Sequence, residues 1–143
     1  MTPYQFDNVL VAIDGSEGAD RALDCALSLV SRLGGQLTAL AVEGKLPAYA
    51  ASIGEVEEVK REKDSFFANV LDEAKREAKE RDVDLSTELV RGHAAEVIAH
   101  YAKARGHDLI VIGHRGHFLG DYLLGSTADR VAHHAHCPVI VVR

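Results

Sequence analysis

The chain has 143 residues, the usual size of one domain and short of two, so residues 1–143 are expected to form a single domain. Hydrophobic residues make up 47% and charged residues 27%, with 3 Pro and 12 Gly, which excludes disordered, collagenous and linker-dominated classes. Sixteen Lys and Arg against 22 Asp and Glu give a net charge of −6, which argues against a nucleic-acid backbone as partner.

Short apolar runs alternate with segments of helical period along the whole chain, the pattern of repeated β-α units around a mainly parallel sheet. Residues 8–13 form the first expected strand, apolar without alternation and therefore covered on both faces. Asp14-Gly15-Ser16 breaks it. A helix follows with Ala19, Ala22, Leu23, Ala26, Leu27, Val30 and Leu33 on one stripe, ending at Gly34-Gly35. A second strand spans residues 36–42, and residues 43–55, with Gly44, Pro47 and Gly54, read as a loop. Residues 56–81 read as one long helix: Val59, Phe67, Val70, Leu71, Ala74 and Ala78 keep to one side and the many charges form its solvated face. The third strand covers residues 84–90. The next helix carries Ala94, Val97, Ile98, Tyr101 and Ala102 and stops at Gly106. Leu109-Ile110-Val111-Ile112 is an inner strand ending in Gly113. After a glycine-rich turn, Leu124, Ala128, Val131 and Ala135 mark a last helix closed by Pro138, and residues 139–142 make a fifth strand. The expected class is α/β: an open five-stranded, mainly parallel sheet with four helices.

Ligands of such sheets bind outside the carboxyl ends of the strands, at the switch in strand order. The loops after strands one, two and four are the candidates. The third of these runs from Gly113 to Thr127, with glycines at 113, 116, 120 and 125. These let backbone N–H groups approach an anion, and Gly125-Ser126 opens a helix whose dipole favours negative charge. Ser126 and Thr127 add hydroxyl donors, and Arg115 with His114 or His117 adds positive charge. The plainer readings weigh equally on the residues alone: Gly113 and Gly116 turn the chain, and Ser126 is an N-cap with Asp129 as capping-box partner. Asp14, at the end of a buried strand, is a ligand contact or an N-cap.

Other signatures are absent. No G-x-x-x-x-G-K-[ST], no G-x-G-x-x-G after the first strand and no G-x-S-x-G elbow occurs. Cys25 lies mid-helix near the apolar stripe, a packing position. Its partner in a pair of cysteines, Cys137, makes no disulfide framework with it, which fits a reducing compartment. No apolar run approaches the roughly 18 residues of a membrane span, and residues 1–14 lack a basic stretch followed by an apolar core. The expectation is a cytoplasmic protein without membrane contact. His133, His134, His136 and Cys137 diverge from a helix end and suit its dipole better than a metal, so no metal site is expected. The seven-residue recurrence of His93, His100, His107 and His114 is interrupted by Gly106 and defines no common face.

Taken together, residues 9–16, residues 108–113, the run from Gly125-Ser126 through His134, Cys137-Pro138 and the closing strand resemble the universal stress protein family nearly end to end. The resemblance implies a Rossmann-like α/β/α sandwich of the adenine nucleotide alpha hydrolase type. The ATP-binding branch of that family carries G-x2-G-x9-G-[ST]. Here Gly113-x2-Gly116 is intact, but eight residues rather than nine separate Gly116 from Gly125. Either Gly120 absorbs the shortening through its wide conformational range, or the N–H groups are displaced and binding is lost; retention is the expectation. Position by position, the resemblance implies that Asp14 and the Val42 backbone contact adenosine and that Ala12 lines the adenine pocket. Gly113, Gly116, Gly125, Ser126 and Thr127 hold ribose and phosphates, and Mg²⁺ or Mn²⁺ arrives with the ATP. His114 and Arg115 are variable positions in the family.

The resemblance also implies a homodimer through the last strand, and Val139-Ile140-Val141-Val142 is independently a hydrophobic edge that needs cover. The expected protein is a dimeric, ATP-binding stress-response module read by a protein partner, with at most slow hydrolysis or self-phosphorylation and no evident catalytic base. The principal alternative is a dimeric interaction module of the same fold without nucleotide. A nucleotidyl-transferring enzyme on a related scaffold is a weaker one, for want of a second constellation.

Overall fold

A computed structural model describes residues 4–44, 53–114 and 125–143. Its elements are β1 (Asn8–Ala12), α1 (Glu17–Leu33), β2 (Gln36–Glu43), α2 (Ile53–Glu80), β3 (Leu85–Arg91), α3 (Ala94–Ala104), β4 (Leu109–Gly113), α4 (Ser126–His134) and β5 (Val139–Val142). All strand pairings are parallel, in the order β3-β2-β1-β4-β5. The fold is α/β, five strands and four helices among the described residues.

Period-two alternation in doubly covered strands divides their side chains between two cores. Val9, Val11, Leu37, Ala39, Leu109 and Val111 pack with α1 and with Ala74 and Ala78 of α2. On the other face Leu10, Leu40, Ile110 and Ile112 pack with Ala95, Ile98 and Ala102 of α3 and Ala128 and Val131 of α4. The continuous apolar runs of β1 and β4 are therefore buried on both sides. Cys25 lies at the edge of the first core and Cys137 at the edge of the second. Both cysteines are free.

Ser16 caps α1 by accepting the Ala19 N–H at 3.2 Å, and Gly34, at φ 79°, ends it. Leu33, expected on the apolar stripe, is the last residue of the helix and is 61% exposed. Several boundaries differ from expectation, and strand β1 ends at Ala12 rather than 13. Strand β2 runs on to Glu43, which stands opposite Arg91 in the β3 register and accepts the Gly92 N–H at 3.0 Å. Helix α2 runs from Ile53 to Glu80 rather than over 56–81; Gly54 reads as a loop residue, although Glu55 suits a helix start. Strand β3 is shifted by one residue. The remainder of the expected 43–55 loop, and Leu124, lie outside the described residues.

Candidate functional site

Strands β1 and β4 are neighbours whose connections leave toward opposite edges of the sheet, so the switch in strand order lies between their carboxyl ends. Past β1, Ile13 donates its N–H to Leu40 at 2.9 Å. Asp14 Oδ1 then accepts the Ser16 N–H at 3.0 Å, and Gly15 between them is at φ 84°. This Asx-type turn delivers the chain to its N-cap. The N-cap is Ser16, so Asp14 orients the cap rather than being it.

At the end of β4, Gly113 has no room for a side chain. A Cβ there would stand 2.5 Å from the Gly18 carbonyl oxygen in the first turn of α1. Its glycine is thus required by packing of α1 on β4. His114, 6% exposed, donates its N–H to Val142 at 2.8 Å and accepts the Gly125 N–H at 3.1 Å, which ties β5 and the start of α4 to the same strand end. The N-cap of α4 is Gly125, not Ser126, and no side-chain cap bond is made there. Asp129 is not a capping-box partner; its carboxylate stands 3.4 Å from His133 Nδ1. The first intrahelical bond runs from Asp129 N–H to Gly125, so the N–H groups of Ser126, Thr127 and Ala128 precede the ladder at the positive end of the helix dipole.

These ends enclose a cavity of about 190 Å³. Ala12, Ile13 and Asp14 come from β1 and its turn, Ser16 and Ala19 from the start of α1, and Leu40 and Val42 from β2. Ala94 and Ile98 of α3, Ile112 and Gly113 of β4, and Thr127 and Ala128 of α4 complete it. Of the expected site residues, Ala12, Asp14, Val42, Gly113 and Thr127 converge on this cavity. His114, Gly125 and Ser126 sit next to it in the chain, Ser126 exposed and the other two buried. Arg115 and Gly116 lie outside the described residues. Asp14 is the one titratable side chain among the described lining residues.

Sequence reading missed the apolar wall made by Leu40, Ala94, Ile98 and Ile112. A signal existed, since Ala94 and Ile98 lie on the α3 stripe, but their nearness to the β1–β4 switch depends on strand order. It also missed Glu43, 1% exposed, with Arg91 Nε at 3.5 Å from its Oε2. Read as the first residue of a polar loop, Glu43 gave no sign of burial.

The profile of the universal stress protein family matches residues 5–143. The chain belongs to the universal stress protein family. Universal stress protein YxiE of Bacillus subtilis is 33% identical over 147 residues, covering 96% of this chain and 99% of that protein. The solved UspA of Lactobacillus plantarum is 29% identical, covers 97% of this chain and 99% of its own, and superposes with a TM-score of 0.82. A universal stress protein solved in complex with cAMP is 25% identical, with 99% of each chain covered and a TM-score of 0.76. No described helix of this universal stress protein is long and apolar enough to cross a membrane.

At the opposite, amino end of β4 this universal stress protein buries His107, 3% exposed. Among the described residues neither ring nitrogen has a hydrogen-bond partner, and the ring stacks on Tyr101 with centroids 5.6 Å apart. Burial pushes its pKa below the ordinary 6.5, opposed by Asp108 and the Ala102 backbone, with Arg105 and His136 lowering it further. A folded-state pKa below the unfolded one means that unfolding takes up a proton. Stability is therefore complete above about pH 6.5 and falls as pH drops below it, by at most about 1.4 kcal/mol per pH unit. Chemical denaturation from pH 7.5 to 5 is expected to show this slope. His107→Phe, which keeps a flat ring and removes the proton site, is expected to flatten it.

Proposed function

We propose that this chain, as one domain over residues 1–143, is a cytoplasmic stress-response module that binds an adenine nucleotide in the cavity at the β1–β4 switch. ATP is the expected ligand, carrying Mg²⁺ or Mn²⁺. The observation that carries the reading is the cavity's mixed lining: an apolar part made by Leu40, Val42, Ala94 and Ile98, and a polar part made by Asp14, Ser16 and Thr127 at the start of α4. The apolar wall suits a flat heteroaromatic base. The α4 start, with glycine at its N-cap and Thr127 in its first turn, suits phosphate. Its volume of about 190 Å³ takes a base more readily than a whole nucleotide, so ribose and phosphates lie along Gly113 and Ser126. Asp14, the single acid of the described wall, fits a metal brought in on phosphates better than a resident one held by several carboxylates. It also gives no pair of groups for rapid acid-base chemistry, so the role is binding and signalling to a protein partner. The relative solved with cAMP supports a nucleotide in this fold. The rival, a module that binds no nucleotide, rests on the eight-residue spacing between Gly116 and Gly125.

Strand β5 is half-buried along Val139, Ile140, Val141 and Val142 and pairs with β4 on one side; its other side is the proposed homodimer contact. Thermal melting of the nucleotide-stripped protein tests the reading. Millimolar ATP with Mg²⁺ is expected to raise the melting temperature, by the equivalent of about 2.7 kcal/mol at a hundredfold excess over Kd. Sedimentation of the same sample is expected to give the mass of two chains. A monomer would remove the β5 contact, and equal shifts with GTP and ATP would remove the adenine preference.

A further inference from the structure

The turn at Asp14-Gly15-Ser16 has two sides. Asp14 and Ser16 line the cavity. Gly15, exposed at φ 84°, turns its back on α2: a Cβ built on it would lie 2.8 Å from Phe66 Cζ and 3.1 Å from Val70 Cγ2. The tip of the Phe66 ring therefore fills the space behind the turn. Phe66 is 50% exposed, more than a ring placed for core packing would be. It is braced edge-on by Phe67, with centroids 5.3 Å apart, and Phe67 packs on the core. Two residues earlier on the same helix, Asp64 lies 3.5 Å from Arg91, the counter-ion of Glu43. Glu43 directly follows Val42 of the cavity wall, so this stretch of α2 is fastened to two of the strand ends that form the site.

We infer that Phe66 is a positioning residue for the cavity: its ring holds the Asp14-Gly15-Ser16 turn in place from behind, and α2 is the element that senses loading of the site. The ligand part of this inference rests on the nucleotide reading. The physical reason is that a two-residue turn around a left-handed glycine has little intrinsic stiffness, while Asp14 and Ser16 must keep fixed positions for a ligand to gain from them. Linkage makes the effect mutual: if the ring raises affinity, ligand binding tightens the ring against Gly15 by the same factor.

Two variants and two readouts test it on the full chain. Phe66→Ala removes the ring. Phe66→Tyr keeps the ring and its contact with Phe67 but adds an oxygen at Cζ, where Gly15 is nearest; a residue that only stabilises α2 tolerates that change. The ligand-free readout is hydrogen exchange of the Ser16 amide, which Asp14 holds. The ligand readout is the Kd for ATP with Mg²⁺. Both variants are expected to accelerate Ser16 exchange and to weaken ATP binding at least about fivefold, while melting cooperatively near the wild-type temperature. Should Phe66→Ala fail to fold, Phe66→Tyr carries both readouts. Unchanged Ser16 exchange overturns the inference whatever the ligand does. Faster exchange with an unchanged Kd overturns the link to the site. If the wild type itself binds no ATP, the nucleotide reading fails separately, and the exchange readout still rules for or against Phe66 as the support of the turn.

Discussion

Gly113→Ala is expected to lower the unfolding free energy by about 3 kcal/mol or more, a large effect for one methyl group. The new Cβ meets the Gly18 carbonyl oxygen at 2.5 Å and its carbon at 2.6 Å. These are backbone atoms in the first turn of a helix, and no rotamer change relieves the contact. Helix α1 must move away from β4, losing packing of Ala19, Ala22 and Leu23 against the sheet. Because Asp14 and Ser16 lead into that helix, the cavity wall moves with it, and ligand affinity should fall along with stability. Gly44→Ala is the control, since no described residue lies within 4 Å of a Cβ there; it is expected to stay within about 0.5 kcal/mol of the parent. Denaturant midpoints of the two variants check the contrast.

Arg91→Met is the second large effect, expected to cost about 2–3 kcal/mol. It leaves the Glu43 carboxylate, 1% exposed and with neither oxygen hydrogen-bonded among the described residues, with its 3.5 Å counter-ion gone. Arg91 is itself half exposed, which lets water reach the vacancy and keeps the cost below that of a fully enclosed pair. The damage belongs to the stranded charge and not to the loss of a bond. Replacing both residues, Glu43→Met with Arg91→Met, is therefore expected to recover most of the lost stability. A double-mutant cycle in denaturant reads the coupling directly. If Arg91→Met alone is neutral, the buried carboxylate does not depend on Arg91.

The architecture was legible because strands covered on both faces carry apolar residues at successive positions: Val9-Leu10-Val11 and Leu109-Ile110-Val111-Ile112 announced inner strands without any knowledge of their neighbours. The helices that pack one clear stripe, α1 and α3, were equally plain. Helix α2 starts three residues before the expected position because Gly54 reads as a loop residue and the apolar period is legible only beyond it. At the site, Asp14 and Gly113 stood out in the sequence, but the reasons were only half visible. In sequence Gly113 reads equally as a backbone donor or as a chain-turning residue, whereas its missing Cβ makes room for Gly18, distant in sequence and brought close by the packing of α1 on β4. Ser126 looked like an N-cap since serine commonly is one, yet the chain placed Gly125 there, bonded to His114. Glu43 and Phe66 were not legible at all. Glu43 meets Arg91 of β3 and Phe66 meets the Gly15 turn after β1, and no local pattern encodes a contact made across that distance.

The most direct test of the central claim, that the β1–β4 cavity takes an adenine nucleotide, is calorimetric titration of the nucleotide-stripped protein with ATP and Mg²⁺, run beside Asp14→Ala. Saturable heat at about one nucleotide per chain, weakened at least about tenfold by the substitution, is the predicted result. No heat from a folded wild-type protein, or binding indifferent to Asp14, would contradict it.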